Sequence, residues 1–379
     1  MTEKLYYVDA YIKDFTANLL ECRAEGDRYA VILDKTAFFP EEGGQTADGG
    51  MIADARVLDV VEKGGEIIHY VDKELALGEV ACSLDFEPRF EKMQCHTAEH
   101  ILCGIIHKIW GYENVGFHLG ADLITFDVDG ELSRADLDRV EIIANTYVFE
   151  NRKITTAFPT PDELREITYR AKLDLTEGVR IVTVEGVDAC ACCAPHVSRT
   201  GEIGIIKILD FMRHRGGTRI FMLAGRRALL DYHRRYLVSK EIGALTSTPS
   251  TEIAAAVGSM KAELEREREA NKELRHALAR NLADGIAKTD GNRVVYSPDL
   301  LPEDMRVVLN LANDRVGGFL VLLTGTDGDL RYILSKNSPD IRAELKEINC
   351  QLNGRGGGRG GVAEGRFAAT LDDVVNYFK

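Results

Sequence analysis

Nowhere in the 379 residues is there a run of about 18 consecutive apolar side chains, so a membrane-spanning helix is excluded from the reading. The opening residues, MTEKLYYVDAYIKDF, have neither a basic start nor an apolar core. No secretory signal is expected, and the expected location is the cytoplasm. Cysteine is scarce: eight residues are too few for a disulfide scaffold. Basic charge is in deficit, with 47 Lys and Arg against 61 Asp and Glu and a net charge of −14. That excludes a histone-like or coating protein and confines any contact with a polyanion to a local patch.

What is present is the composition of a packed protein, 45% apolar and 7% aromatic, in a chain two or three times a typical domain. Residues 1–88 alternate short apolar stretches (Ala30–Leu33, Val57–Val61, Ile67–Val71, Val80–Leu84) with turn signals at Gly43-Gly44, Asp48-Gly49-Gly50 and Gly64-Gly65. This pattern predicts a β-rich, barrel-like domain. From Pro88 the spacing of Met93, Thr97, Ile101 and Ile105 predicts a long helix ending at Trp110 and Gly111. Strand-like stretches at 117–128, a helix at 134–150, a strand at Val179–Val184, two apolar runs around Arg215-Gly216-Gly217 and a helix at 225–242 make residues 89–242 an α+β domain.

Residues 243–286 read as a helical arm. Ile253, Val257, Met260, Leu264, Leu274 and Leu278 define a heptad seam interrupted by Glu267 and Asn271, which predicts a coiled coil or helical hairpin; a single solvated spacer helix is the alternative. Residues 287–379 return to alternation and predict a small α/β domain: a strand near Val294–Ser297, a helix at 302–313, a hairpin of 318–324 and 330–335, and a helix to Leu352. Within it, NGRGGGRGGVAEG at 353–365 reads as a flexible loop, or as a backbone that approaches a phosphate while Arg355 and Arg359 supply charge.

Two short segments carry chemistry. In HTAEH, His96 and His100 stand four apart in the predicted helix, on one face, as two ligands of a shared ion would. Glu99 precedes the second histidine, out of place for a HExxH metalloprotease. In DACACCAPHV, Cys192 and His196 bracket a tight segment that contains Pro195. Two imidazoles plus a thiolate and an imidazole form a donor set that zinc favours. On chemistry alone Cys103 and His107 share the helix face and Cys190 and Cys193 compete with Cys192; core packing is the favoured reading of Cys103 and His107.

HTAEH, then CCAPHV about ninety residues on, then TGEIG at 200–204 and GTRIFMLAGRRAL at 217–229, with FFPEEGGQTADGG at 38–50 upstream, resemble the editing domain of alanyl-tRNA synthetase and, more closely, the long form of the free-standing alanyl-tRNA editing proteins (AlaX). The similarity covers roughly residues 5–240, and the Gly-rich tail is similar in composition to the DHHA1-type domain that ends both. The resemblance implies one Zn2+ per chain on His96, His100, Cys192 and His196, and a catalytic set of Gln45, His100 and Cys192, with Gly43-Gly44-Gln45 as the family's GGQ loop at the pocket. It departs from the usual CGGTH in that Cys193, Ala194 and Pro195 replace two glycines and a threonine, which makes the pocket wall bulkier and stiffer.

The function this implies is hydrolysis of tRNA(Ala) carrying a wrong amino acid, chiefly serine and also glycine. No adenylation module is expected before residue 38, and without a DHH triplet the C-terminal domain is not expected to be a phosphoesterase. The expected tRNA contacts are Arg213, Arg215, Arg219, Arg226, Arg227, Arg234 and Arg235, among which stand one acid, Asp231, and the rings of Tyr232 and His233. A homodimer would form through the arm and the C-terminal domain. The rivals are a zinc-stabilised RNA-binding protein without catalysis and a metal-dependent hydrolase of small esters or peptides.

Overall fold

In a computed structural model the described residues are 2–120, 123–171 and 178–379, so the strand-like stretch expected at 117–128 is described except at 121 and 122. The chain forms two compact units, Met1–Ser239 and Lys240–Lys379, and helix and strand are mixed in both.

In the first unit, β1 (Glu3–Lys4) pairs in parallel with β4 (Lys35–Thr36). Six strands, β2 (Asp14–Glu25), β3 (Arg28–Leu33), β5 (Gly50–Ile52), β6 (Ala55–Lys63), β7 (Glu66–Val71) and β8 (Gly78–Leu84), close a barrel in the order β2-β3-β7-β6-β5-β8. Closure leaves no edge to protect. The four apolar stretches lie in β3, β6, β7 and β8. The long strand β2 was hidden, because its run DFTANLLECRAE is half polar and buries only Ala17 and Leu19. In β6 the register shifts between Val57 and Asp59, which brings both Val57 and Val60 inward although they stand three apart.

The long helix α1 (Phe86–Trp110) starts two residues before Pro88, which sits in the first turn where its missing N–H is harmless. It ends at Gly111 in the left-handed conformation, φ 75°, with the Gly111 amide on the His107 carbonyl. Its middle is buried on every side, not along one stripe. A helix of that kind must find partners for every polar group it carries, so the polar residues of HTAEH cannot be solvated bystanders.

Around it lie β9 (Asn114–Leu119), β10 (Ile124–Val128), α2 (Arg134–Phe149), β11 (Ile154–Ala157), α3 (Pro161–Glu166), β12 (Ile181–Val184), β13 (Asp188–Ala191), β14 (Ile206–His214), β15 (Gly217–Ala224) and α4 (Gly225–Thr246). They form one sheet of order β14-β15-β10-β9 and a second of order β11-β12-β13. β13 comes close to α1 at Gly104, where a Cβ would lie 2.7 Å from that of Asp188.

The second unit contains α5 (Ile253–Asp284) and the sheet of β16 (Arg293–Tyr296), β17 (Leu320–Thr326), β18 (Asp329–Ser335), β19 (Gly354–Arg359) and β20 (Val362–Phe367), in the order β16-β17-β18-β20-β19. Helices α6 (Pro302–Ala312), α7 (Arg342–Gln351) and α8 (Leu371–Tyr377) complete it. The Gly-rich run is not a loop: residues 354–359 pair with 362–367 as the edge hairpin of the sheet. Among the described residues the expected seam of α5 is exposed, Val257, Met260, Leu264 and Leu274 by 48, 56, 51 and 71%. Among the described residues no helix is long and apolar enough to cross a membrane.

Candidate metal centre

Helix α1 and the loop after β13 bring His96, His100, Cys192 and His196 together, with ligand atoms all within 4.8 Å of one another. Cys192 Sγ lies 3.6 Å from His96 Nε2 and 3.4 Å from His196 Nε2. The three imidazole rings stand 4.6–5.4 Å apart between centroids. All three histidines are buried, and Cys192 is half-buried.

The Nδ1 atoms of the three rings each face a polar side chain, and the Nε2 atoms of His96 and His196 point to the Cys192 sulfur. Thr97 Oγ1 donates to the Met93 carbonyl (2.7 Å), so toward His196 Nδ1 at 2.9 Å it accepts, which fixes the Nδ1–H tautomer. His96 Nδ1 donates to Gln45 Oε1 at 3.1 Å with the same result. His100 Nδ1 faces Asp188 Oδ2 at 3.5 Å. Arg170 holds that carboxylate through two bonds, Nε to Oδ1 at 2.8 Å and Nη2 to Oδ2 at 2.7 Å. Burial alone would raise the Asp188 carboxyl, but Arg170 and then His100 overcome it and bring it down to about 2. Burial, followed by the neighbouring Cys193, pushes the Cys192 thiol up; burial, followed by His100 and His96, pushes His196 down.

The loop that carries Gln45 is anchored from α1. Arg89, fully buried, donates to Asp48 and to the carbonyl of Ala37, and Lys92 donates to the carbonyl of Thr46 at 3.1 Å. Gly44, at φ 83°, is pressed so closely on the Phe117 carbonyl that a Cβ would come within 2.5 Å of it. The bulkier Cys193-Ala194-Pro195 is accommodated because Ala194 is buried in the core of the barrel.

Three of the four, His96, His100 and Cys192, line a cleft of about 730 Å3 together with Glu99, Phe117 and Arg180, among others, while His196 lies behind them. Gln45 does not line it: the side chain is wholly buried behind His96, so it orients a ring and does not touch what enters. Of the competitors left open by the sequence, Cys103 is buried and turned to Glu99 (3.2 Å) and Asn114, whereas His107 is half exposed beside Glu113 at 3.0 Å, not packed in the core. Cys193 lies against Gly43. Cys190 joins His100 and Asp188 in a second group whose ligand atoms also lie within 4.8 Å of one another. Asp188, Thr97 and Arg170 were not singled out from the sequence. Asp188 had a signal, since 188, 190 and 192 alternate along one strand direction toward a ligand.

Most of the arginine cluster is already paired. Arg213 meets Glu131, Arg219 binds Asp127 through two nitrogens (2.7 and 2.8 Å), Arg226 meets Glu87, Arg227 meets Glu91, and Arg235 meets Asp231. Arg215 occupies a turn at φ 48° and Arg234 an exposed place on α4. Arg355 and Arg359 are exposed on the edge strand β19.

Residues 179–220 match the family described as threonyl and alanyl tRNA synthetase second additional domain, and residues 4–85 match the class II (A) tRNA synthetases. The chain is 29% identical to the alanyl-tRNA editing protein AlaX-L of Pyrococcus horikoshii, over 99% of this chain and 97% of that one. It is 26% identical to the alanyl-tRNA editing protein Aarsd1 of Danio rerio, over 94 and 92% of the two chains. With the alanine–tRNA ligase of Ignicoccus hospitalis it shares 30% identity over 96% of its own length, but spans only 41% of the ligase. Along nearly its whole length this chain is therefore similar to alanyl-tRNA editing proteins.

Proposed function

We propose that the protein is a zinc-dependent deacylase that hydrolyses the ester between tRNA(Ala) and a wrong amino acid, chiefly serine and also glycine. The observation that carries this reading is the quartet His96, His100, Cys192 and His196, three of whose members, His96, His100 and Cys192, line a cleft. A tetrahedral zinc with Zn–N of about 2.0–2.1 Å and Zn–S of about 2.3 Å needs an N···S edge of about 3.5 Å. The two edges of 3.6 and 3.4 Å fit it. Editing is needed because a synthetic pocket sized for alanine cannot strongly reject an isostere with one more hydroxyl or a smaller residue.

Zinc held there would polarise the ester or activate a water. The side chains around it do the positioning. Gln45, Thr97 and Asp188 fix the ring orientations, Phe117 covers His96 with ring centroids 4.6 Å apart, and the buried Glu99 carboxylate borders the quartet with Oε2 4.0 Å from His100 Nε2. His100 and Cys192 would hold the ion, and Gln45 acts through His96. Residues 1–242 carry the barrel and the deacylase, 243–286 the arm and 287–379 the C-terminal domain. Transfer RNA is met chiefly by Arg215 and Arg234, with Arg355 and Arg359 on β19, since the other arginines of the cluster, Arg213 among them, already meet carboxylates.

One observation favours a second reading, a zinc-stabilised tRNA-binding protein: four protein ligands are what structural zinc sites have. Deacylation of seryl-, glycyl- and alanyl-tRNA(Ala) by the purified protein separates the two. Hydrolysis of the first two, lost with chelator and regained with zinc, supports the deacylase. Tight tRNA binding with no hydrolysis supports the alternative.

A further inference from the structure

Three cationic side chains line the cleft, Lys4, Arg170 and Arg180. Two are neutralised: Lys4 by Glu62 at 2.8 Å and Arg170 by Asp188 at 2.7 Å. Arg180 has no carboxylate within ion-pair distance among the described residues, yet it is only 6% exposed. A guanidinium in that position is costly unless something anionic meets it.

What Arg180 touches is informative. Nη1 donates to the carbonyls of Cys192 (2.9 Å) and Ala194 (2.8 Å), which holds the ligand-bearing loop. Both of these bonds leave from one nitrogen. Nε is buried with no hydrogen-bond partner among the described residues, which leaves open on their side the Nε–Nη2 edge, the fork that matches two oxygens of a carboxylate or phosphate. The ring of Tyr7, 5.2 Å from the guanidinium carbon, fixes its plane.

We infer that the free edge of Arg180 binds a phosphodiester of the substrate, the one that precedes the 3′-terminal nucleoside. This rests on the deacylase reading above. In that substrate the aminoacyl group is cationic, so the only anion near the ester is the backbone phosphate, and Arg180 stands beside the Cys192 loop from which the ester is handled. The residue would then be a substrate-binding group that fixes how far the chain end enters.

The test changes the substrate, so that folding of a variant is not at issue. The zinc-loaded full chain is given seryl-tRNA(Ala) whose last internucleotide phosphate is either intact or replaced by a neutral methylphosphonate. The expected result is a kcat/KM roughly 10- to 100-fold lower on the methylphosphonate, the range for losing a charge-assisted bidentate contact. Arg180→Gln, with zinc content verified, should fall to that same level on the natural substrate and lose nothing more on the neutral one. Equal turnover of the two tRNAs by the unmodified protein would overturn the assignment while leaving the deacylase reading intact. An equal loss on both tRNAs in a zinc-loaded Arg180→Gln would also overturn it, by making the residue a support of the loop alone. No hydrolysis of either tRNA would overturn both.

Discussion

Gln45 Oε1 accepts a hydrogen bond from His96 Nδ1 at 3.1 Å, so a residue from the loop ahead of β5 sets the tautomer of a candidate ligand on α1. Removing it frees the ring to rotate and to present an N–H where the ion needs a lone pair. Gln45→Ala should lower zinc affinity about 10- to 100-fold, with deacylation recovering at saturating zinc. Competition with a chromophoric chelator measures this. Unchanged affinity together with lost activity would instead put Gln45 in contact with substrate.

The helix-face ambiguity is resolved by which side chains meet. His100→Ala and Cys192→Ala should each remove most of the bound zinc, because one of four donors is lost from a site whose binding energy is shared among them. Cys103→Ala and His107→Ala should keep it, since Cys103 is bonded to Glu99 and Asn114 and His107 faces Glu113. Elemental analysis of the four variants decides; zinc loss from Cys103→Ala equal to that from Cys192→Ala would undo the assignment.

A different histidine governs acid stability. His69 is wholly buried in the barrel, donates from Nδ1 to the Val31 carbonyl and accepts from the Thr36 hydroxyl, and burial pushes its pKa down to about 4. Its folded pKa lies below its unfolded value, so the unfolded chain takes up the proton first. Stability is therefore whole above about pH 6.5 and falls by about 3 kcal/mol as the pH drops to about 4. Urea titrations across this range should show that slope, and His69→Gln should flatten it. A slope that survives the substitution would mean that other groups cause it.

The bare apolar seam of α5 has a consequence for assembly. If two chains join through it, Leu264→Glu with Leu274→Glu should turn a dimer into a monomer, since charges replace facing knobs at a coiled-coil core. Light scattering of the two proteins at micromolar concentration is the check, and a monomeric unmodified protein would rule the seam out as a dimer contact.

Much of this site was legible because its ligands come as two local patterns, i,i+4 on a helix and i,i+4 in a tight loop. Both survive whatever the tertiary arrangement is. The strands of the barrel with clear apolar alternation were equally readable. What the sequence could not convey was long-range: that Gln45 turns its carbonyl to His96 across 51 residues, that Thr97 faces His196, and that Asp188 reaches His100 only because Gly104 leaves room. The half-polar run of β2 masked a strand whose place is set by pairing with β3 and β8. The arginines looked like a free basic patch because their carboxylates, Glu87, Glu91, Asp127 and Glu131, stand up to 139 residues away.

The most direct test of the central claim is single-turnover hydrolysis of seryl-tRNA(Ala) by the purified protein before metal removal, after it, and after zinc is restored. The account predicts rapid release of serine, loss of that release without metal, recovery with about one zinc per chain, and alanyl-tRNA(Ala) left largely intact throughout. Release that continues undiminished in the metal-free protein, or that consumes alanyl- and seryl-tRNA(Ala) alike, would contradict it.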